Sequence, residues 1–184
     1  MAACDTLIST SIQAVDCNTG AKRGVMRQGY LANRKEIDFS RSSLQEGNML
    51  ELITFKSVQG KLRPIYQNGR MPYNGTQQEL VEGTFRNTFT NTVQFVMLNH
   101  DPVKAFDVID KLANGEFVVF LKSLERADVW QVFGWHTGLH ASAMVRELYS
   151  DDTLAGWLIT LTEEDAPMSG VFATQEAIDD ALAG

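Results

Sequence analysis

Residues 84–98 read TFRNTFTNTVQFVML, with Phe85, Phe89, Val93, Phe95 and Met97 at odd positions and Thr84, Arg86, Thr88, Thr90, Thr92 and Gln94 at the even ones. A period of two, written in Thr and Phe, belongs to a β-strand with one apolar and one polar face. At ~3.3 Å per residue the stretch would span about 50 Å, well beyond the usual strand. A strand of that reach curls around a barrel or extends past its own subunit. The spacing therefore predicts a long amphipathic strand over 84–98.

Outward from it, Asp101 is a natural N-cap and Pro102 a natural first helical residue for VKAFDVIDKLANG. Val103, Phe106, Ile109 and Leu112 or Ala113 recur at helical spacing, and Asn114-Gly115 supplies the stop, so a three-turn amphipathic helix packed on a sheet is expected. EFVVFLKSL (116–124) and VWQVFGW (129–135) are apolar β-rich runs separated by Glu125-Arg126-Ala127-Asp128, the pattern of a hairpin. Leu139, Ala141, Ala143 and Val145 alternate with His140, Ser142, Met144 and Arg146, and GWLITLT (156–162) is a further strand. Before the long strand, 24–33 and 49–59 are expected as strands and 62–66 as a short one. The turn-rich Asn68–Gly75 stretch marks 60–78 as a projecting loop or hairpin. A helix over 174–183 closes the chain. The sum is an α+β, mainly β domain: an antiparallel β-sandwich or barrel with a flanking mid-chain helix, a C-terminal helix, an extended N-terminal arm (1–20) and the 60–78 loop. No repeat, low-complexity run or linker divides it, so 1–184 is expected as a single domain.

Composition narrows the function classes. Of 184 residues, 44 % are hydrophobic and 21 % charged, ordinary globular values that argue against disorder and fibrous repeats. The net charge of −7 argues against a general phosphate-binding surface. No basic segment leads into an apolar run of signal-peptide length, and no window approaches the roughly 20 apolar residues of a membrane span. The expectation is a chain made in the cytosol, where Cys4 and Cys17 are free thiols of the N-terminal arm; a disulfide between them or half of a metal site are the alternatives.

The motifs of dinucleotide-binding, phosphate-loop, nucleophile-elbow and zincin chemistry are all missing. His136 and His140 would share a helix face, but on a loop entering a strand they stand about 13 Å apart, too far to share an ion. Asp151-Asp152 and Glu163-Glu164-Asp165 are expected as solvated turn residues, with a divalent-cation site or a carboxylate hydrolase as the alternatives. Trp130, Trp135 and Trp157 lie in apolar strands, where core packing is favoured over a sugar-stacking platform. No catalytic, metal or cofactor residue is assigned, and the expectation is a non-enzyme. Basic residues gather early (Lys22-Arg23, Arg27, Arg34-Lys35, Arg41, Arg63) and acidic ones late, a polarity that lets one copy meet the next head to tail.

The order of arm, strands, projecting loop, long alternating strand, helix and further antiparallel strands resembles the tail tube proteins of bacteriophages and contractile injection machines. The run from Lys22-Arg23 to Tyr30-Leu31-Ala32-Asn33, followed by Glu36-Ile37-Asp38-Phe39, is similar to the opening of phage structural proteins. So is Leu148–Thr153 with Gly156-Trp157 and Thr160–Glu164. The resemblance implies a virion protein assembled in the host bacterial cytoplasm. It further implies six-fold rings stacked into a conduit through which DNA passes unread, with contacts to other tail or neck proteins. Arms and loops bridge subunits in that family, a role that here falls on 1–19 and 60–78. The family's electronegative lumens suit the −7 charge, whereas the early Arg/Lys cluster fits only if it faces the next ring. The residues expected at subunit contacts are Arg23, Arg27, Ile65, Tyr66, Met71 and Tyr73, since an exposed apolar tip and strand edge need covering. A phage adhesin or carbohydrate-binding module is the alternative, followed by a small carboxylate-dependent hydrolase.

Overall fold

The computed structural model describes residues 24–42, 44–45, 48–67, 71–98, 102–124, 128–146, 148, 156–168 and 170–183. The expected N-terminal arm with Cys4 and Cys17, Arg23, the expected cap Asp101, residues 125–127 of the expected hairpin turn and Asp151-Asp152 lie outside the described residues.

Two sheets form the body. The larger runs β2 (Leu44–Gln45), β3 (Met49–Leu50), β11 (Val171–Thr174), β8 (Val129–Phe133), β7 (Phe117–Ser123), β1 (Val25–Asn33) and β4 (Arg63–Tyr66), in that order across it. The smaller runs β5 (Gln77–Val81), β6 (Thr88–Met97), β10 (Trp157–Ala166) and β9 (His140–Arg146). All named strand pairs are antiparallel except β3 with β11. The fold is thus mainly β with helices α1 (Pro102–Asn114) and α2 (Gln175–Ala183), a sandwich rather than a closed barrel. Among the described residues no helix is long and apolar enough to cross a membrane.

The sequence of β7 explains the layering. Phe117 to Leu121 are all buried, because this central strand is covered on both faces. Phe117, Val119 and Leu121 face the smaller sheet and meet Val93, Phe95, Ile159 and Leu161. Val118 and Phe120 face the other way, toward Tyr30, Trp130, Ile37 and the Ala177, Ile178 and Ala181 stripe of α2. Thr174 Oγ1 accepts the Ala177 N–H at 3.1 Å, an N-cap that starts α2. Gln175 Oε1 accepts from Trp130 Nε1 at 2.9 Å and Lys122 Nζ at 2.8 Å, tying the helix to the sheet beneath it.

Several expected elements change where tertiary contacts end. The long strand is paired only from Thr88: β5 stops at Val81 opposite Thr88, and β10 reaches no further than Phe89. Residues 82–87 are exposed beyond that point, so Phe85 covers no core. The run 49–59 is not one strand. After β3 the chain is irregular, held by Asp38 N–H on the Thr54 carbonyl and Lys56 N–H on the Glu36 carbonyl, both at 2.8 Å, and by the isolated Ile37–Phe55 bridge. In β9 a register shift falls between the pairs Thr160–Ala143 and Leu161–Ala141, so Ala141 and Met144 face the core while Val145 is exposed. Helix α1 buries Ile109 and Leu112 beside β9, whereas Val103 and Phe106 overhang and are exposed.

Candidate assembly surface

Three features stand out above ordinary packing, and the first is buried. In β10 the alternation Ile159, Leu161, Glu163 puts a carboxylate where an apolar side chain belongs, and opposite it in β6 the alternation Val93, Asn91 does the same with an amide. Glu163 is 1 % exposed. Its Oε2 accepts from Asn91 Nδ2 and the Gly134 N–H, both at 2.8 Å. Its Oε1 accepts from the His136 and Thr137 N–H groups at 3.1 Å each, with Thr137 Oγ1 at 3.4 Å. Gly134 has φ +83°, and a Cβ there would stand 2.4 Å from the Phe117 carbonyl oxygen, so the loop closes on the carboxylate only with glycine at this position. The expectation of a solvated turn at 163–165 is therefore corrected for Glu163, which anchors the 134–137 loop. Both oxygens are engaged, which makes the group a lock between β10 and the loop rather than an available base.

Around it, Arg34 donates to the His136 carbonyl at 2.6 Å and lies 4.7 Å over the Phe39 ring. Burial pushes the His136 imidazole below its ordinary value; Glu163 pulls it up and Arg34 lowers it again. Among the described residues no three of His, Cys, Asp and Glu gather in a way that could hold a metal ion. Trp130 and Trp135 are buried, and Trp157 is half-buried with Arg146 6.0 Å over its ring, so none forms an open stacking platform.

The second feature lies along β1 and β4, where the structure brings most of the expected contact residues together. The register sets Gln28 opposite Tyr66 and Gly29 opposite Ile65. Tyr66 and Met71 are 62 % and 69 % exposed, Arg27 is exposed, and Ile65 is half-buried against the inter-sheet core. Tyr73 departs from the expectation of an outward tip. It is 4 % exposed, and its hydroxyl donates to the Ile65 carbonyl at 3.0 Å with the Arg27 carbonyl at 3.3 Å. That burial pushes its phenol above the ordinary value. The reason is Gly29: a Cβ there would stand 2.6 Å from the Tyr73 hydroxyl, and its absence makes room for the ring. The described parts of the 60–78 segment, 60–67 and 71–78, are thus held against their own sheets through Gln67, Tyr73 and Thr76. Gln67 completes the closure by pairing its amide with both backbone groups of Val96, at 2.8 and 2.9 Å, where β5 no longer covers β6. Thr76 Oγ1 accepts the Gln94 N–H at 3.2 Å in the same gap. Beside this closure an open groove of about 530 Å³ is lined by Val25, Met26, Arg27, Gln28, Tyr66, Pro72 and Leu124.

The third feature is the hairpin of β5 and β6. Every residue of β5 is exposed, and so is every residue from 82 to 87. The turn is closed by the Gly83 N–H on Asn87 Oδ1 at 3.3 Å. At its end Phe85 is fully solvent-exposed, with Leu80 and Val81 51 % and 42 % exposed behind it. Among the described residues the projecting element is this hairpin, one element later than the sequence pattern placed it.

Comparisons with protein-family models, curated proteins and solved structures give no significant match to this chain. Sequence reasoning missed Glu163 and the role of Phe85. The signal for the first was present: Asn91 and Glu163 each interrupt an apolar alternation at the same parity as their core-facing neighbours. For the second there was none, because only the ends of the partner strands decide where a long alternating strand stops being covered.

Proposed function

We propose that this chain is a structural, non-enzymatic subunit of a phage virion, of the tail-tube or neck-ring kind. Its copies self-associate into stacked, six-fold rings that conduct DNA without reading it, in contact with other tail or neck proteins. The observation that carries this reading is the β5–β6 hairpin, which holds out a fully exposed phenylalanine and an uncovered strand edge that a lone monomer leaves in water. Two further observations support it. The outward rows of the smaller sheet carry few charges: Val145, Ala143, His140, Leu158, Thr160, Thr162, Val96, Gln94, Thr92 and Gln77, with Glu79 and Glu164 as the carboxylates among them and no Lys or Arg. A wall of that kind, in a chain of net charge −7, offers phosphate nothing to hold.

The test pairs mass spectrometry of purified virus particles with sedimentation velocity and negative-stain microscopy of the full chain. The expected result is many copies per particle and concentration-dependent rings or stacks. Absence from particles, together with a monomer at high concentration, refutes the proposal.

A further inference from the structure

We infer, building on the assembly reading above, that the hairpin tip of one copy seats in the groove beside β1 and β4 of the next, with Phe85 as the inserted side chain and Glu82 facing Arg27. The two surfaces are complementary in chemistry. The groove presents the apolar flanks of Val25, Met26, Tyr66, Pro72 and Leu124 with one cation, Arg27, among them. Arg27 is exposed and has no carboxylate partner among the described residues, and Glu82 is exposed and has no cationic partner among them. The tip presents an aromatic ring with that carboxylate three residues before it and the exposed Arg86 directly after it, so Glu82 is the one tip charge opposite in sign to Arg27. A volume of about 530 Å³ takes an aromatic ring and leaves space for the turn that carries it.

The geometry also has a consequence for symmetry. Tip and groove are different surfaces: the groove belongs to the β1–β4 edge of the larger sheet, and the tip extends from the smaller sheet. A contact between unlike surfaces is heterologous, so each copy that offers a tip also offers a groove, and repetition closes a ring or continues a stack. The expected contact residues Arg27 and Tyr66 then act as the receiving side, and the hairpin supplies what they receive. Glu82 and Arg27 orient the tip, while desolvation of the ring supplies most of the affinity.

The experiment uses the full chain carrying p-benzoylphenylalanine at position 85, mixed with isotopically heavy unmodified chain and irradiated. The expected product joins light position 85 to heavy peptides containing Val25–Gln28, Tyr66 or Pro72. In parallel, Phe85→Ser weakens self-association measured by sedimentation roughly ten- to hundred-fold, the loss expected for one buried aromatic side chain. Because Phe85 is exposed in the single chain, this variant keeps the melting temperature of the parent. Arg27→Glu and Glu82→Arg each weaken association, and together they restore it. Copies that assemble but cross-link elsewhere, or assemble undiminished by Phe85→Ser, overturn the tip-in-groove contact and leave the assembly reading standing. A cross-link confined to one chain, including one to residues 1–23, overturns the contact in the same way. No intermolecular cross-link and no association at any concentration overturn the contact, and together with absence from particles they overturn the assembly reading as well.

Discussion

Replacing Glu163 with glutamine changes one oxygen for an amide nitrogen in a site where four N–H donors already point inward. The amide oxygen can keep the His136 and Thr137 N–H groups now on Oε1. The NH₂ then faces Asn91 Nδ2 and the Gly134 N–H. Asn91 can relieve half of that conflict, since its Oδ1 is buried without a partner and turning the amide would offer it to the new donor. Gly134 cannot, because its N–H is fixed by the backbone. One orphaned N–H costs ~1–3 kcal/mol, and turning the surviving charge-assisted bonds into neutral ones costs about 1–2 kcal/mol more. The sum of roughly 2–5 kcal/mol is a large share of the ~5–15 kcal/mol that holds a domain folded. At ~2–4 °C per kcal/mol for a chain of this size, the melting temperature should fall by roughly 5–20 °C. Urea unfolding followed by circular dichroism measures the free energy directly, provided the slope with denaturant is unchanged. A loss below about 1 kcal/mol would show that the carboxylate is not holding the loop by these bonds, and the lock would have to be abandoned.

Other perturbations probe the same core. Tyr73→Phe removes the donor to the Ile65 carbonyl and should cost ~1–2 kcal/mol in the same assay. Because burial raises the phenol's folded pKa, its contribution is present below the ordinary value of about 10 and declines as pH rises beyond it, and Tyr73→Phe should lose that alkaline slope in a pH series of unfolding curves. His136 has the opposite sign: its folded pKa is lowered, so its contribution is complete above the ordinary value of about 6.5 and is lost as pH falls below it. His136→Gln should flatten that acid slope between neutral and mildly acidic pH, and an unchanged slope would assign it to other groups. Gly134→Ala meets both a left-handed backbone and the Phe117 carbonyl, and should destabilise by about 2–4 kcal/mol or more, read as a drop in melting temperature.

Element 84–98 shows how far periodicity carries. Its parity correctly assigned Val93 and Phe95 to a core, because the two faces of a strand are set by covalent geometry alone. The same parity put Phe85 in that core, and the structure places it in solvent, because burial needs a partner strand and β5 and β10 both end short of it. The apolar runs around Val118 and Val132 were legible as strands, and the unbroken hydrophobicity of Phe117–Leu121 follows from cover on both faces, whereas Gln131 interrupts the second run. The candidate surface was legible in part: Arg27, Tyr66 and Met71 are exposed beside the groove or the tip loop, whereas Tyr73, alike in composition, is drawn inward by the space left at Gly29.

The sequence by itself determined the type of the strongly periodic elements, the alternation that separates inner from outer faces, the mainly β class and the net charge, since each depends on local geometry or on counting. Only the tertiary structure decided which ends are covered, that Glu163 has four N–H donors to meet it, and that Tyr73 turns inward while 82–87 stands out. Those outcomes depend on where distant strands stop and on how much space a distant glycine leaves, and neither is encoded in the neighbours of the residue concerned.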